Sequence, residues 1–130
     1  LMKQMLGGLT EQQLNQTTHI DLLYENIVSV DPQTFKGLTS LQYLYLQYNQ
    51  ISTIDPQTFN GLTSLQSIDL SNNQISTLPA SIFSSLNKTR INLYENSICT
   101  GFSSNDLASL FLTEKYCSLS QCIIRCSYSK

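Results

Sequence analysis

The sequence predicts a short α/β solenoid, in which repeated segments each contribute one strand to a parallel sheet. Residues 31–54 and 55–78 are two copies of a 24-residue unit, which differ at seven positions and agree at 17. Within each copy, apolar and polar residues alternate over a short stretch, and an asparagine follows. Because a unit of this kind cannot bury its apolar edge alone, we expect successive units to stack into one domain.

The alternating stretch of each unit predicts its strand. In the first unit, Leu44, Leu46 and Ile51 should point into the core, and the residues between them should project from the opposite face of the sheet. An asparagine at each strand exit is expected to satisfy backbone groups of the turn. The recurring asparagines are Asn26, Asn49, Asn73 and Asn96. The phenylalanines that recur once in each repeat period, and should stack behind the sheet, are Phe35, Phe59 and Phe83.

Two weaker copies flank the two clear ones. Residues 89–98 form a copy that is one residue short of the period. Residues 18–28 form another, in which one extra residue near Leu23 predicts a bulge or an irregular first strand. We therefore expect about four strands.

The two clear units share the pattern Leu-x-x-Leu-x-Leu-x-x-Asn-x-Ile, from Leu41 to Ile51 and, with Ile68 at the second position, from Leu65 to Ile75. This pattern resembles the leucine-rich repeat family, in the 24-residue form that is typical of extracellular proteins. The resemblance implies a right-handed horseshoe segment with a concave parallel sheet. It divides the chain into an N-terminal cap or truncated repeat (residues 1–17), about four repeats (18–98) and a cysteine-containing C-terminal cap (99–130).

All four cysteines lie in the last third of the chain: Cys99, Cys117, Cys122 and Cys126. Their even number and local clustering favour disulfides in an oxidising compartment, and therefore an extracellular or cell-surface location, with three possible connectivities. A zinc site is the alternative, although the spacing lacks a C-x2-C pair and the single histidine is distant. Residues 103–114 begin with N-cap residues and carry an apolar stripe, which predicts a helical lid. This segment resembles the cysteine-rich C-terminal flank of extracellular leucine-rich repeat proteins, which implies a disulfide-linked cap.

Several function classes are disfavoured. The net charge is −2 and the seven basic residues are scattered, so nucleic acid is not an expected partner. No apolar run is long enough to insert into a membrane. His19 and Asp21 could be neighbours on one strand, but no nucleophile, metal-ligand cluster or phosphate loop accompanies them, so we expect no catalytic site, metal or cofactor. N-glycosylation sequons begin at Asn15 and Asn87.

The residues that project from the sheet predict a binding surface. Tyrosine provides contact area at low entropic cost and is enriched in binding patches, and three tyrosines follow one another on the second strand. The candidate ligand-binding residues are His19, Asp21, Tyr43, Tyr45, Gln47, Tyr48, Ser67, Asp69, Arg90 and Asn92. Ser71 is expected to project outward as well. A further column at the strand exits is expected to contain Tyr24, Tyr48, Asn72 and either Glu95 or Tyr94.

The resemblance implies recognition of a protein or peptide by the concave face, as in the receptor ectodomains of innate and adaptive immunity and in matrix proteins. The alternative function is a structural module, which would form a homo-oligomer by self-association through its ends or its tyrosines.

Overall fold

The computed structural model describes residues 8–78, 82, 86, 89–97 and 123–125, the last three as backbone. They include one parallel sheet of five strands in the order β1-β2-β3-β4-β5. The strands are β1 (His19–Asp21), β2 (Tyr43–Tyr45), β3 (Ser67–Asp69), β4 (Arg90–Asn92) and β5 (Ile123–Arg125). One strand per repeat in a parallel sheet confirms the predicted solenoid architecture.

A short helix, α1 (Glu11–Gln16), precedes the first strand. Thr10 caps it: its hydroxyl accepts a hydrogen bond from the Gln13 backbone N–H at 3.1 Å, and the Gln13 side chain accepts one from the Thr10 N–H at 2.9 Å. Leu14 packs against the edge of the core. The sequence analysis did not predict this helix, although Thr10-x-x-Gln13 is a capping-box pattern that could have indicated it.

The first repeat is in register with the second. His19 pairs with Tyr43, an offset equal to the full repeat period. The same offset persists beyond the strand, where Ile27 is buried like Ile51. The predicted extra residue near Leu23, and the bulge that it implied, are therefore wrong. The fourth strand confirms the shorter spacing that was predicted, because Arg90 pairs with Ser67, an offset one short of the period.

The core consists of stacked columns of apolar side chains, one member from each repeat. One column consists of the middle residues of β1 to β4, and the next consists of the residues directly after these strands: Ile20, Leu44, Ile68 and Ile91, and then Leu22, Leu46, Leu70 and Leu93. Behind the sheet, the rings of Phe35 and Phe59 stack with their centroids 6.3 Å apart and their planes at 14°. These two rings confirm the predicted aromatic column, and Phe83 lies outside the described residues.

The turns that follow β1 and β2 on the far side of the core each begin at an aspartate and end at a glycine. The Asp31 carboxylate accepts a hydrogen bond from the Gln33 backbone N–H at 2.8 Å, and Asp55 repeats the contact in the next unit. Gly37 has φ of 89° and Gly61 has φ of 83°, values at which a side chain would be strained. Backbone geometry therefore explains why both units keep the stretch Asp-Pro-Gln-Thr-Phe-x-Gly.

Buried asparagines join each repeat to the one before it. The Asn73 amide donates to the carbonyl oxygens of Leu46, Leu70 and Ser71, and its Oδ1 accepts from the Ile51 N–H. Asn49 and Asn96 make the corresponding contacts one repeat away. The predicted role is confirmed for these three residues.

Asn26 does not belong to this asparagine column. Its side chain is exposed, and the position equivalent to Asn49 in the first repeat is occupied by Glu25, one full period earlier. The prediction for Asn26 is therefore wrong. The misplaced residue and the predicted insertion have the same origin, because aligning the two asparagines requires one extra residue.

The C-terminal region contributes β5, which pairs with β4 in parallel and places Ile123 beside Arg90. The sequence analysis did not identify this strand in the segment assigned to the cap. The four cysteines, the predicted helix of residues 103–114 and Asn87 lie outside the described residues, so the disulfide-linked cap stays a prediction. In the part of the chain that is described, no helix has the length and apolar character that a membrane span requires.

Candidate binding face

The outward residues of the strands form two columns on the sheet face that is turned away from the core, which we call the open face. Their register places His19, Tyr43, Ser67 and Arg90 in the first column, and Asp21, Tyr45, Asp69 and Asn92 in the second. The residue between the columns on each of these strands is buried in the core. Eight of the ten predicted binding residues therefore share one face, as the strand alternation predicted.

Gln47 and Ser71 lie two positions beyond β2 and β3, where the prediction was less accurate. Ser71 is buried, and its hydroxyl donates a hydrogen bond to the Asp69 carboxylate at 2.6 Å. Gln47 is half-buried, and its Oε1 is buried without a hydrogen-bond partner among the described residues. The chain leaves the strand here, so the simple alternation of inward and outward side chains ends. Ser71 is therefore not displayed in the way that was expected.

Four tyrosines and a histidine gather on the first two repeats. The rings of His19 and Tyr43 lie 4.7 Å apart, and those of Tyr24 and Tyr48 stack at 4.7 Å with an interplanar angle of 23°. Tyr24 is 64% exposed and Tyr48 is 45% exposed, whereas Tyr45 is half-buried between its neighbours. We call His19, Tyr24, Tyr43, Tyr45 and Tyr48 the aromatic patch. Tyr24 was expected in the same column as Tyr48, but it was not among the predicted binding residues.

The exposed tyrosine pair occupies a left-handed backbone conformation. Tyr24 has φ of 56° and Tyr48 has φ of 59°, and the equivalent residues Asn72 and Glu95 have φ of 56° and 55°. The structure thus places Glu95, rather than Tyr94, in this column. Asparagine tolerates this region, whereas a bulky residue is strained there by an amount on the order of 1 kcal/mol. Two large, exposed side chains therefore stand where local stability favours a small polar residue.

Comparisons with known proteins agree with this architecture. Residues 15–75 match the family model described as leucine-rich repeat. The fold is similar to that of a chain in the octameric complex of Latrophilin 3, Unc5D and FLRT2, in which FLRT2 is the leucine-rich repeat component. Residues 15–75, just under half of the chain, are therefore similar to leucine-rich repeats. The likeness has a TM-score of 0.51 at 19% sequence identity. It covers 83% of this chain and 47% of the other, so the chain spans about half of its neighbour's length. No curated protein matches the chain in sequence.

The polar residues of the second column help to shape the turns that follow the strands. The Asp21 carboxylate accepts a hydrogen bond from the Leu23 backbone N–H at 3.1 Å, and Asp69 accepts one from the Ser71 N–H at 2.9 Å. In the fourth repeat, an asparagine replaces the aspartate, and Asn92 Oδ1 accepts the same hydrogen bond from the Tyr94 N–H at 3.1 Å. Either Asp or Asn can therefore make this turn contact, but only Asp adds a negative charge to the face.

The first column makes fewer contacts of this kind. The Tyr43 hydroxyl donates to Gln66 Oε1 at 3.0 Å, which fixes the ring across β2 and β3. The Thr18 hydroxyl and His19 Nδ1 are 2.9 Å apart, and Arg90 is exposed. No group of three or more His, Cys, Asp or Glu side chains in the described residues could hold a metal ion. The chemistry displayed on the open face is contact area, hydrogen bonding and charge.

The left-handed position of Tyr48 gives a first testable prediction. Tyr48→Asn and Tyr48→Ala both remove the ring stacked on Tyr24, but asparagine tolerates positive φ and is the residue found at position 72. We expect the asparagine variant to be the more stable by about 0.5–1 kcal/mol. Urea denaturation of the two variants measures this difference directly. An alanine variant as stable as the asparagine variant would show that the backbone at Tyr48 is not strained.

Proposed function

We propose that this chain is a non-enzymatic recognition module that binds a protein or peptide through the open face, the concave side of its solenoid. We further propose that it acts in an extracellular or cell-surface, receptor-like protein. The observation that carries the proposal is the aromatic patch. It displays four tyrosines on two repeats, and two of them are held in a backbone conformation that disfavours tyrosine.

The comparison of the two near-identical units supports this proposal. Their buried frames agree, and the fold of the second unit forms without any tyrosine on the open face. The tyrosines are replaced there by Ser67, Asp69 and Asn72. Packing therefore does not require Tyr43, Tyr45 or Tyr48, and recognition of a partner is a sufficient reason for them.

The size of the face suggests what fits it. Five parallel strands at a spacing of ~4.8 Å make a sheet only ~20 Å across. A standard protein interface buries ~800 Å² on each partner, so a globular ligand would also have to contact the rim or the caps. An extended peptide segment lying across the strands fits the sheet itself. The similar structure is a complex of a leucine-rich repeat protein with two other proteins, which supports protein partners for this chain as well.

The test of this function is a paired capture experiment. The wild-type chain and a Tyr43→Ser, Tyr45→Ser, Tyr48→Asn variant are immobilised and exposed to extracellular material from the source organism, and retained proteins are identified. These substitutions use the polar chemistry of the following repeat, so the variant should fold. We expect a partner that binds the wild type and whose affinity for the variant is at least tenfold lower, because the substitutions remove most of the apolar contact area of the face.

A matched control places three substitutions on the opposite side of the molecule. Gln33→Ser, Lys36→Asn and Gln57→Ser change exposed residues of the turns and leave the open face intact. This variant should retain the partner fully. Equal retention by wild type and tyrosine variant contradicts the proposed site. A concentration-dependent mass in light scattering that disappears in the tyrosine variant would instead favour the alternative function, self-association through the aromatic patch.

A further inference from the structure

The charges of the repeats are distributed unevenly. Among the residues whose side chains the structure describes, seven are acidic and two are basic: Glu11, Asp21, Glu25, Asp31, Asp55, Asp69 and Glu95 against Lys36 and Arg90. A further basic residue, Arg125, is described only by its backbone in β5. Lys36 lies in a turn behind the sheet, and Arg90 lies on β4. On the open face of the first three strands, the charged residues that the structure describes are therefore the carboxylates Asp21 and Asp69. A ligand of this half of the face meets negative charge.

The two carboxylates stand on either side of a tyrosine. The register pairs Asp21 with Tyr45 and Tyr45 with Asp69, so the three side chains occupy one row across β1, β2 and β3. Two strand spacings separate the aspartates, which places their Cα atoms ~10 Å apart with the half-buried ring between them. A flat cation lying over Tyr45 would have a carboxylate within reach on each side.

Both carboxylates are held in position before any ligand arrives. Asp21 Oδ1 accepts from the Leu23 N–H, and Asp69 Oδ1 accepts from both the N–H and the hydroxyl of Ser71. Their Oδ2 atoms accept no hydrogen bond from the described residues and remain acceptors for a ligand. Oriented acceptors lose little conformational entropy when a donor binds, which favours a specific contact over diffuse attraction.

We propose that the row Asp21–Tyr45–Asp69 receives an arginine side chain from an extended segment of the protein partner. A guanidinium is planar, stacks on a tyrosine ring and donates several hydrogen bonds in its plane, so it matches a ring flanked by two carboxylates. The ring pairs His19–Tyr43 and Tyr24–Tyr48 lie on the same two repeats and supply contact area for the neighbouring residues of the segment. This inference rests on the proposed function and specifies the chemistry of its ligand.

The test uses the labelled full-length chain and four probe peptides. Each peptide is a decamer with serine at alternate positions and arginine, lysine, glutamine or glutamate at the others. In amide NMR titrations we expect the arginine peptide to perturb residues of β1 to β3 saturably, to bind more tightly than the lysine peptide, and to weaken as salt is added. The glutamine and glutamate peptides should bind at least tenfold more weakly.

A pair of charge-matched variants separates the site from net charge. Asp21→Asn with Asp69→Asn should weaken arginine-peptide binding about tenfold while preserving the turns, because Asn92 already makes the same turn contact. Asp31→Asn with Asp55→Asn removes the same charge from equivalent aspartates behind the sheet and should change affinity less than twofold. Equal weakening by both pairs would mean that only net charge matters, and the proposed row would be abandoned.

The outcomes also distinguish this inference from the proposed function. If the glutamine peptide perturbs the open face as strongly as the arginine peptide, the face binds peptides but the cationic ligand is wrong. If no peptide perturbs β1 to β3, the arginine site is wrong, and the capture experiment with the tyrosine variant still decides whether the face binds a partner. A captured partner that is lost by the tyrosine variant but kept by the Asp21→Asn, Asp69→Asn variant would show that the face binds a partner and that the arginine site is wrong.

Discussion

Replacing Asn73 with alanine is expected to lower the free energy of unfolding by about 3 kcal/mol or more, although the residue touches no candidate ligand. Its amide contacts the Leu46, Leu70 and Ser71 carbonyls, and its Oδ1 accepts from the Ile51 N–H, all in the interior. Alanine would leave these groups without that partner at a position that is 8% exposed.

Two further variants isolate the cause of the loss. Asn73→Asp keeps the acceptor for Ile51 but points a carboxylate at carbonyl oxygens, so it should be at least as unstable as Asn73→Ala. Gln74→Ala changes the exposed neighbouring residue and should stay within about 0.5 kcal/mol of wild type. Urea denaturation measures all three. A stable Asn73→Asp protein would show that the amide donors do not hold the repeats together.

The asparagine contacts explain why the two clear units keep the same buried residues while the residues between them differ. Each buried asparagine bonds to its own strand exit and to the repeat before it, so its position is fixed by two repeats at once. The apolar columns are constrained in the same way, because each side chain packs against its equivalents. The open-face residues meet no such requirement, and Tyr43 can stand beside Ser67. The buried residues specify the fold, and the open-face residues are free to differ between repeats.

The parallel sheet, its register and most of the core could be predicted because repetition tests every assignment more than once. Leu44 and Ile68 occupy the same position in two nearly identical units, so the inward direction of each supports the other. The first repeat was harder to align, because Glu25 replaces the asparagine and Asn26 stands next to it. Only the burial of Ile27 shows which alignment is right. The separation between β4 and β5 is wider than the repeat period, so periodicity could not predict β5.

The candidate site was predictable where the chain is a regular strand and not where it turns. Tyr43, Tyr45 and Asp69 lie on the open face because the side-chain period of a strand is two. Ser71 was misplaced because the Asp69 carboxylate draws its hydroxyl and backbone N–H into a turn. Tyr24 was aligned with Tyr48 but was left out of the predicted binding residues. Its exposure depends on a positive φ that the residue type itself argues against.

Tyr24 and Tyr48 adopt a positive φ that tyrosine disfavours, whereas Asn72 adopts the same φ and asparagine tolerates it. Such disagreements concentrate at functional positions, where a side chain is kept for what it contacts rather than for stability. The strain is small, on the order of 1 kcal/mol for each residue, and stacking of the two rings offsets part of it. The rest of the fold must therefore offset this strain, and the apolar columns behind the sheet supply the stabilising packing.

Phe59→Ala is expected to remove much of that packing, with a loss of about 3–5 kcal/mol in the free energy of unfolding. The ring is 1% exposed and stacks on Phe35, and it anchors the turn from Asp55 to Gly61 that leads into β3. Alanine leaves a cavity that the repeats on either side cannot easily fill, because each is held in register by the sheet. A loss of this size is a large part of the roughly 5–15 kcal/mol that is typical of a whole domain.

The graded series Phe59→Leu and Phe59→Ala, with Asn60→Ala as an exposed control, tests this assignment by thermal and urea denaturation. Leucine fills most of the space and should cost about 1–1.5 kcal/mol, whereas the control should cost less than about 0.5 kcal/mol. Because Phe59 contacts nothing on the open face, Phe59→Leu should bind the arginine peptide as the wild type does under conditions where both are folded. An alanine variant no less stable than the leucine variant would mean that the phenylalanine column does not carry the packing of the solenoid.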